Sequence, residues 1–377
     1  MSSSPNATNV TTAAAKLRPA AGRSTLRFRP PYRQAIKRLT QDELRLEDLA
    51  ASFPALLFAL ATGFGTAETR AATRSLIDQG ATLKSAAQTL GIPWWMRSLP
   101  PETFAEPLHA LLDGPDVQRR ITNYIPADGA FLQAWLRSVS LANAIAGSEF
   151  ALWLASRLKV RPRTGDRLVP LAAWAWYSGH CETYGHSLVR VPFEPAMSLK
   201  AAIEEADTWR KRIDLAAAVG DGIADTWFGP GEHGGLSFQP LRTTEDFIRE
   251  AGVMDNCLDQ FGAKLVRQST RVFSIRRGEQ AIADIEIAPH EHDGGMPIIE
   301  QLRGASNRRV SADVWQAAYG WLAKQTPRAL TATPVSTRRF LHLRREIWQP
   351  LLRSLHEGPA LTAVKDHMRS HDMSDIA

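Results

Sequence analysis

The most constraining feature of this chain is a change, partway along, in the spacing of its apolar residues. From Leu39 to roughly Thr226 they recur every three or four positions, the repeat of helices with one buried face. Beyond Phe228-Gly229-Pro230-Gly231-Glu232-His233-Gly234-Gly235, a loop by composition, strict alternation appears. Such a chain is expected to be α+β: a mainly helical N-terminal half, then a small antiparallel sheet with flanking helices. The glycine-rich stretch marks the expected domain boundary.

Thr40 followed by Glu43 predicts a capping box. Leu44, Leu46, Leu49, Phe53, Leu56, Leu57 and Leu60 then keep helical spacing until Gly63 and Gly65 break it. A second helix is expected over Thr66–Gln79. A third, over Phe131–Lys159, is rich in tryptophan and breaks near Gly147; a fourth runs over Ser198–Val219 and ends at Gly220. In the second half, Arg271–Arg277 and Ala281–Ala288 read as strands joined by Gly278-Glu279-Gln280. In the second strand Ala281, Ala283, Ile285 and Ile287 face one way, and Ile282, Asp284 and Glu286 the other. Pro297–Arg303 is a third strand, and Ser311 caps a helix over Asp313–Lys324.

Charge divides the chain further. Met1 to Arg38 holds eight Lys or Arg and no Asp or Glu, leaving 37 bases against 39 acids in the remainder. Residues 1–38 are therefore expected to be a disordered basic arm, 39–228 a helical domain, 229–326 an α+β domain, and 327–377 a basic amphipathic helix and tail. Three readings of the arm compete: a solubilising extension, a phosphate-contacting arm and a mitochondrial transit peptide. The two cysteines exclude a disulfide framework and suit a reducing cytosol, so a cytoplasmic location is expected. No run of 18 apolar residues lacks a polar break, which argues against a membrane span.

Several local patterns carry competing meanings. Thr82-Leu83-Lys84-Ser85-Ala86-Ala87-Gln88-Thr89-Leu90-Gly91-Ile92 looks like the first helix and turn of a helix-turn-helix. The following Pro93–Pro100 is too short and too apolar for a recognition helix, which favours a helical core instead. Cys181 lies between His180 and His186, but the spacing matches no zinc finger; His290 and His292 read as a polar loop. No metal and no cofactor is expected. After Pro327, Arg338, Arg339, Arg344, Arg345 and Arg353 interleave with Phe340, Leu341, Ile347, Trp348 and Leu351. This basic amphipathic helix is expected to dock through Trp348. Arg338, Arg339, Arg344 and Arg345 are its candidate nucleic-acid contacts, and the segment after His356 is expected to fray.

The densest set of signals lies between Phe247 and Asn307. Glu250-Ala251-Gly252-Val253-Met254-Asp255-Asn256-Cys257-Leu258-Asp259-Gln260-Phe261 is followed by Phe273-Ser274-Ile275-Arg276-Arg277. Then come Asp284-Ile285-Glu286-Ile287 and Gln301-Leu302-Arg303-Gly304-Ala305-Ser306-Asn307. In order and spacing these resemble the PcfJ-like family of bacterial conjugative elements and related chromosomal proteins. There an acidic helix ends in Met-x-His-Cys, and Ser-x-Arg, Thr-x-Glu and Gln-x-x-Gly-x-x-Asn follow. Cys257, Ser274, Arg276, Glu286, Gln301, Gly304 and Asn307 match; Asn256, Phe261 and Asp284 stand where the family has His, Tyr and Thr. The resemblance implies an α+β domain and a link to mobile elements. The family's activity is not established, so it implies no reaction.

A cleft built from Cys257, Arg276, Glu286, Gln301 and Asn307 would be catalytic as a hydrolase or transferase, with the thiol as nucleophile and the charged pair steering substrate. Asn256 removes the imidazole that would activate Cys257, since a thiol without a cationic neighbour keeps a pKa of about 8.5. The competing reading packs Cys257 as a small apolar residue. Three function classes therefore stand side by side: a nucleic-acid-associated accessory using the arm and the C-terminal helix, an enzyme, and a scaffold docking a protein partner.

Overall fold

The computed structural model describes residues 25–109, 111–158, 165–290, 292, 294–325, 330 and 334–374. The fold is α+β, with two compact units. One unit draws on Met1–Ala172, Glu194–Leu199 and Glu357–Ala360, the other on Ala173–Phe193, Lys200–His356 and Leu361–Ala377.

The first unit is helical. Its elements are α1 (Tyr32–Thr40), α2 (Leu44–Ser52), α3 (Pro54–Thr62), α4 (Ala67–Asp78), α5 (Leu83–Leu90), α6 (Pro115–Ile121) and α7 (Gly129–Arg157). The helix expected to run from Leu44 to Leu60 is two helices. Pro54 disfavours helical backbone in the residue before it, and Phe53 stands at φ −155°. Nor does Thr40 cap a helix start: it ends α1, and its hydroxyl donates to the Ile36 carbonyl at 3.0 Å. Within the expected basic arm, residues 25–38 are folded onto the helical unit. Phe28 is buried and stacks on Phe58 at 6.3 Å between ring centres, and Arg27 pairs with Glu102 at 2.6 Å. Residues 1–24 lie outside the described residues.

Thr66 caps α4 by accepting from the Thr69 N–H, and α7 bends at Gly147, whose backbone (φ 84°, ψ 177°) few other residues adopt. After α5 the chain turns at Gly91 into a short 3-10 turn, Trp94–Ser98, with Trp95 and Met96 buried. No recognition helix follows, so Thr82–Ile92 is core architecture.

The second unit is built on a five-stranded antiparallel sheet in the order β1 (Gly231–His233), β2 (Leu236–Pro240), β3 (Arg271–Arg277), β4 (Gln280–Pro289), β5 (Pro297–Gly304). With α8 (Leu168–Ser178) and α9 (Tyr184–Ser187) preceding it, α10 (Leu199–Val219) enters this unit at Lys200. The compact division therefore falls before the glycine-rich stretch, which is itself the first hairpin. Between β2 and β3 come α11 (Thr244–Met254) and α12 (Gly262–Val266); after β5 come α13 (Ala312–Ala323), α14 (Thr337–Ser354) and α15 (Pro359–Ser374).

Period-two alternation gives the sheet two different faces. Phe238, Phe273, Ile275, Ile285, Ile287 and Leu302 form a core with Trp321 of α13, whose indole stacks on Phe238 at 4.6 Å. Val272 lies on the other face, in a smaller apolar cluster with Phe247 and Ala251 of α11, Leu265 of α12 and Leu215 of α10. α10 and α12 approach closely at Gly262, where a Cβ would stand 2.6 Å from the Leu215 nitrogen. A buried ion pair, Arg212 Nε to Asp259 Oδ2 at 2.8 Å, joins α10 to the short turn Leu258–Gln260 that precedes α12. α14 docks as expected: Trp348 is buried against Trp209 at 5.4 Å, and the Tyr177 hydroxyl donates to the Ile347 carbonyl at 2.5 Å. The segment expected to fray after His356 forms α15, with Val364 fully buried.

Candidate functional site: a buried carboxyl cluster on the sheet

The register of the central strands fixes which polar side chains meet. Ser274 of β3 lies opposite Asp284 of β4, which lies opposite Arg303 of β5; Val272, Glu286 and Gln301 form the adjoining row. Directly opposed residues share a face. Ser274, Asp284 and Glu286 therefore all point toward α11 and α12, where water is excluded: Ser274 is 1% exposed, Asp284 6% and Glu286 5%.

The helix supplies the partners. α11 begins with a capping box, Thr243 with Asp246, and turns Phe247, Ala251 and Met254 inward. Glu250 falls on that same stripe and is carried to the sheet, 1% exposed. Its carboxylate accepts from the Ser274 hydroxyl at 2.6 Å and from Arg276 Nη2 at 3.1 Å. Arg276 also donates through Nη1 to the Glu279 carbonyl at 3.0 Å. Beyond the left-handed turn at Asp255, Asn256 donates through Nδ2 to Asp284 Oδ2 at 2.7 Å, while its side-chain Oδ1 accepts from the Leu258 N–H. In the next row Lys264 of α12 donates to Glu286 Oε1 at 2.6 Å.

Two buried carboxyl groups side by side cannot both ionise cheaply. Burial pushes the Asp284 carboxyl up to about 8, and the adjacent Glu250 charge adds to the rise. Asn256 and Arg276 pull the other way without cancelling it. Asp284 therefore favours its protonated form near neutral pH. Three buried polar atoms on this face have no hydrogen-bond partner among the described residues: Asp284 Oδ1, Arg276 Nε and Glu286 Oε2. Each is shielded from solvent, an unmet hydrogen-bonding demand inside the unit.

Of the residues the sequence singled out, Arg276 joins the cluster and Glu286 occupies its neighbouring row. Gln301 lies across from Glu286 with its side chain exposed. Asn307 is exposed at φ 59° in the turn after β5, beside Ser306, whose hydroxyl donates to Asp255 at 2.8 Å. Cys257 is exposed just beyond Asn256. The residue that sequence reasoning did not assign is Glu250, although an acidic residue on the apolar stripe of an amphipathic helix is itself a signal. Asn256, noted only as a departure, proves to be the partner of Asp284.

The four candidate nucleic-acid arginines separate. Arg344 is buried, 4% exposed, and paired with Asp214 at 3.2 Å, so it faces the protein rather than a phosphate. Arg339 pairs with Asp221 at 3.3 Å, whereas Arg338 and Arg345 are exposed. His180 stacks on Trp176 and His186 contacts the Tyr177 carbonyl through Nδ1. Among the described residues no group of three or more His, Cys, Asp or Glu can hold a metal, and no helix is long and apolar enough to cross a membrane. No protein-family model, curated protein or solved structure matches this chain.

Proposed function

We propose that this chain is a PcfJ-like protein whose α+β unit is an acid–base enzyme centred on Glu250 and Asp284. The observation that carries this reading is the burial of two carboxyl groups, Glu250 and Asp284, between helix and sheet, beside an arginine and the carboxylate of Glu286. A carboxyl group kept protonated near neutral pH is a competent general acid, and strongly perturbed groups cluster at functional sites. In this reading Asp284 donates the proton and Glu250 holds Ser274 and Arg276 in place. Arg276 stabilises developing negative charge, and Gln301 and Arg303 line the outer rim on β5. Asn256 holds Asp284, and Cys257 is not required as a nucleophile. The family resemblance supports the reading through Ser274, Arg276, Glu286 and Gln301, which fall on three adjoining strands of one sheet.

The test is a turnover screen with ester, amide, glycoside and phosphodiester reporters across neutral and alkaline pH. An activity that declines above about pH 8 and is lost in Asp284→Asn and Glu286→Gln, at unchanged melting temperature, supports the reading. An activity indifferent to both substitutions, or none on any reporter, overturns it.

A second reading, association with nucleic acid, is favoured by Arg338 and Arg345, seven residues apart and exposed on one face of α14. Binding that weakens on removing both arginines, with a shallower dependence on salt, would support it.

A further inference from the structure

On the α11 face of the sheet the edge strand β5 presents two polar side chains to solvent. Leu302 is buried in the apolar core on the α13 side, so alternation sends Gln301 and Arg303 to the other side, and both are exposed. Arg303 lies directly opposite Asp284 in the register. Opposite charges in that relation ordinarily pair across the strands. Here they do not: Asp284 turns its carboxyl to Asn256 at 2.7 Å, and Arg303 has no carboxylate partner among the described residues.

The other acids of this face are taken as well. Glu250 accepts from Ser274 and Arg276, Glu286 from Lys264 at 2.6 Å, and Asp255 from the Ser306 hydroxyl at 2.8 Å. Glu300 is the extra residue where the register passes from Glu286–Gln301 to Ile287–Ile299, about 10 Å along the strand from Arg303. Asp284 favours its protonated form and so opposes the guanidinium weakly. One cation is therefore left uncompensated at the edge of the carboxyl cluster.

Two turns bracket it. β5 runs into a tight turn in which the Gly304 N–H donates to the Arg308 carbonyl at 2.9 Å, with Ser306 and Asn307 left-handed at φ 53° and 59°. α11 ends in a left-handed Asp255, at φ 48°. The Ser306–Asp255 hydrogen bond joins the turns, and the next residue, Asn256, reaches Asp284. Three of the six non-glycine residues with positive φ among those described thus gather around the Asp284–Arg303 row. Such backbone costs energy and concentrates at ligand clamps and active sites.

We propose that Arg303 is an oxyanion seat: on the acid–base reading above, on which this inference rests, it binds a phosphate or carboxylate carried by the substrate and holds that substrate against the Asp284 row. The planar fork of a guanidinium takes two oxygens of one such group, which an ammonium does not. A salt bridge across the strands would have occupied the acid and the seat together; the turn of Asp284 toward Asn256 leaves Arg303 open.

The test follows backbone amide resonances of the full-length chain while inorganic phosphate, and in a parallel arm acetate, replaces chloride at constant ionic strength. Saturable shifts are expected at Arg303, Gly304 and Asn256, and the anion that saturates at lower concentration identifies the group. Arg303→Ala should weaken binding about tenfold or more, the loss of a charged hydrogen-bonding partner. Arg303→Lys, which keeps the charge and loses the fork, should bind with intermediate affinity. Arg353→Ala, an equal loss of charge at an exposed position on α14, should match the parent. These positions are exposed, and unchanged melting temperatures confirm folding. In turnover, phosphate should compete with the reporter that is cleaved, and Arg303→Ala should raise KM more than it lowers kcat. No saturable shift with either anion, shifts that persist in Arg303→Ala, or equal weakening by Arg353→Ala would each overturn the seat. An anion bound at Arg303 by a chain that turns over no reporter would uphold the seat and overturn the acid–base reading instead.

Discussion

The two faces of one sheet answer the same problem, excluding water from a strand, in opposite ways. On the α13 side the strands present Phe238, Phe273 and Ile285, and Trp321 fills the space between them. On the α11 side the same strands present Ser274, Asp284 and Glu286, almost as completely buried, and the helix brings Glu250, Asn256 and Lys264 to meet them. The first face draws its stability from area removed from water. The second must compensate the desolvation of each charge with hydrogen bonds, and replacing such groups with apolar ones of the same shape is often neutral or stabilising. A fold that needed only stability would not retain that face. The contrast separates what holds this unit together from what it is built to do.

The largest expected effect breaks the apolar face. Trp321→Ala removes a fully buried indole and should cost about 3–5 kcal/mol in urea denaturation, enough to unfold a marginal domain. Arg276→Ala attacks the polar face by leaving Glu250 buried without its cation; because Arg276 keeps partial solvent access, a loss of about 2–3 kcal/mol is expected. A far smaller loss would mean that Glu250 takes up a proton or water at little cost.

Titration sharpens the contrast further. The Asp284 carboxyl is raised to about 8 in the folded state, so between its unfolded value, about 3.9, and 8 the native protein holds a proton that the unfolded chain has lost. Stability from this pair is therefore highest in acid and falls as pH rises, by on the order of 1 kcal/mol per pH unit within that window. Asp284→Asn, which keeps the shape and cannot ionise, should flatten the decline. A parent and variant with parallel stability profiles would show that the Asp284 carboxyl is not held protonated in the folded state. Tyr319→Ala, at an exposed position outside both faces, should change stability by no more than about 0.5 kcal/mol.

How far the sequence carried the fold depended on whether local pattern or tertiary contact decided the outcome. The Arg271–Arg277 strand, its partner and the helix over Ser198–Val219 follow from periodicity, and all three occur within a residue or two of their expected bounds. The hairpin of Gly231–His233 and Leu236–Pro240 was hidden because glycines that make its turn also make a sequence look like a loop. The division of Leu44–Leu60 was legible in Pro54 and lost to the stronger apolar rhythm. At the site, alternation along β4 identified Asp284 and Glu286 as neighbours, but nothing local announces that Glu250 lands between Ser274 and Arg276. That depends on the angle at which α11 crosses the sheet. The same limit hid the burial of Arg344, whose neighbours in sequence are as basic as it is and whose partner, Asp214, is on another helix.

The close approach at Gly262 has a consequence for how this unit would fail. Any side chain there must push α12 away from the backbone of α10, and α12 carries Lys264, whose ammonium meets Glu286. An alanine at that position alters no polar atom of the site, yet it would widen the gap that Lys264 has to span. In a screen for conditional alleles, Gly262 would surface as a heat-sensitive lesion: sound when cool, and stripped of its second carboxylate row before the sheet itself gave way.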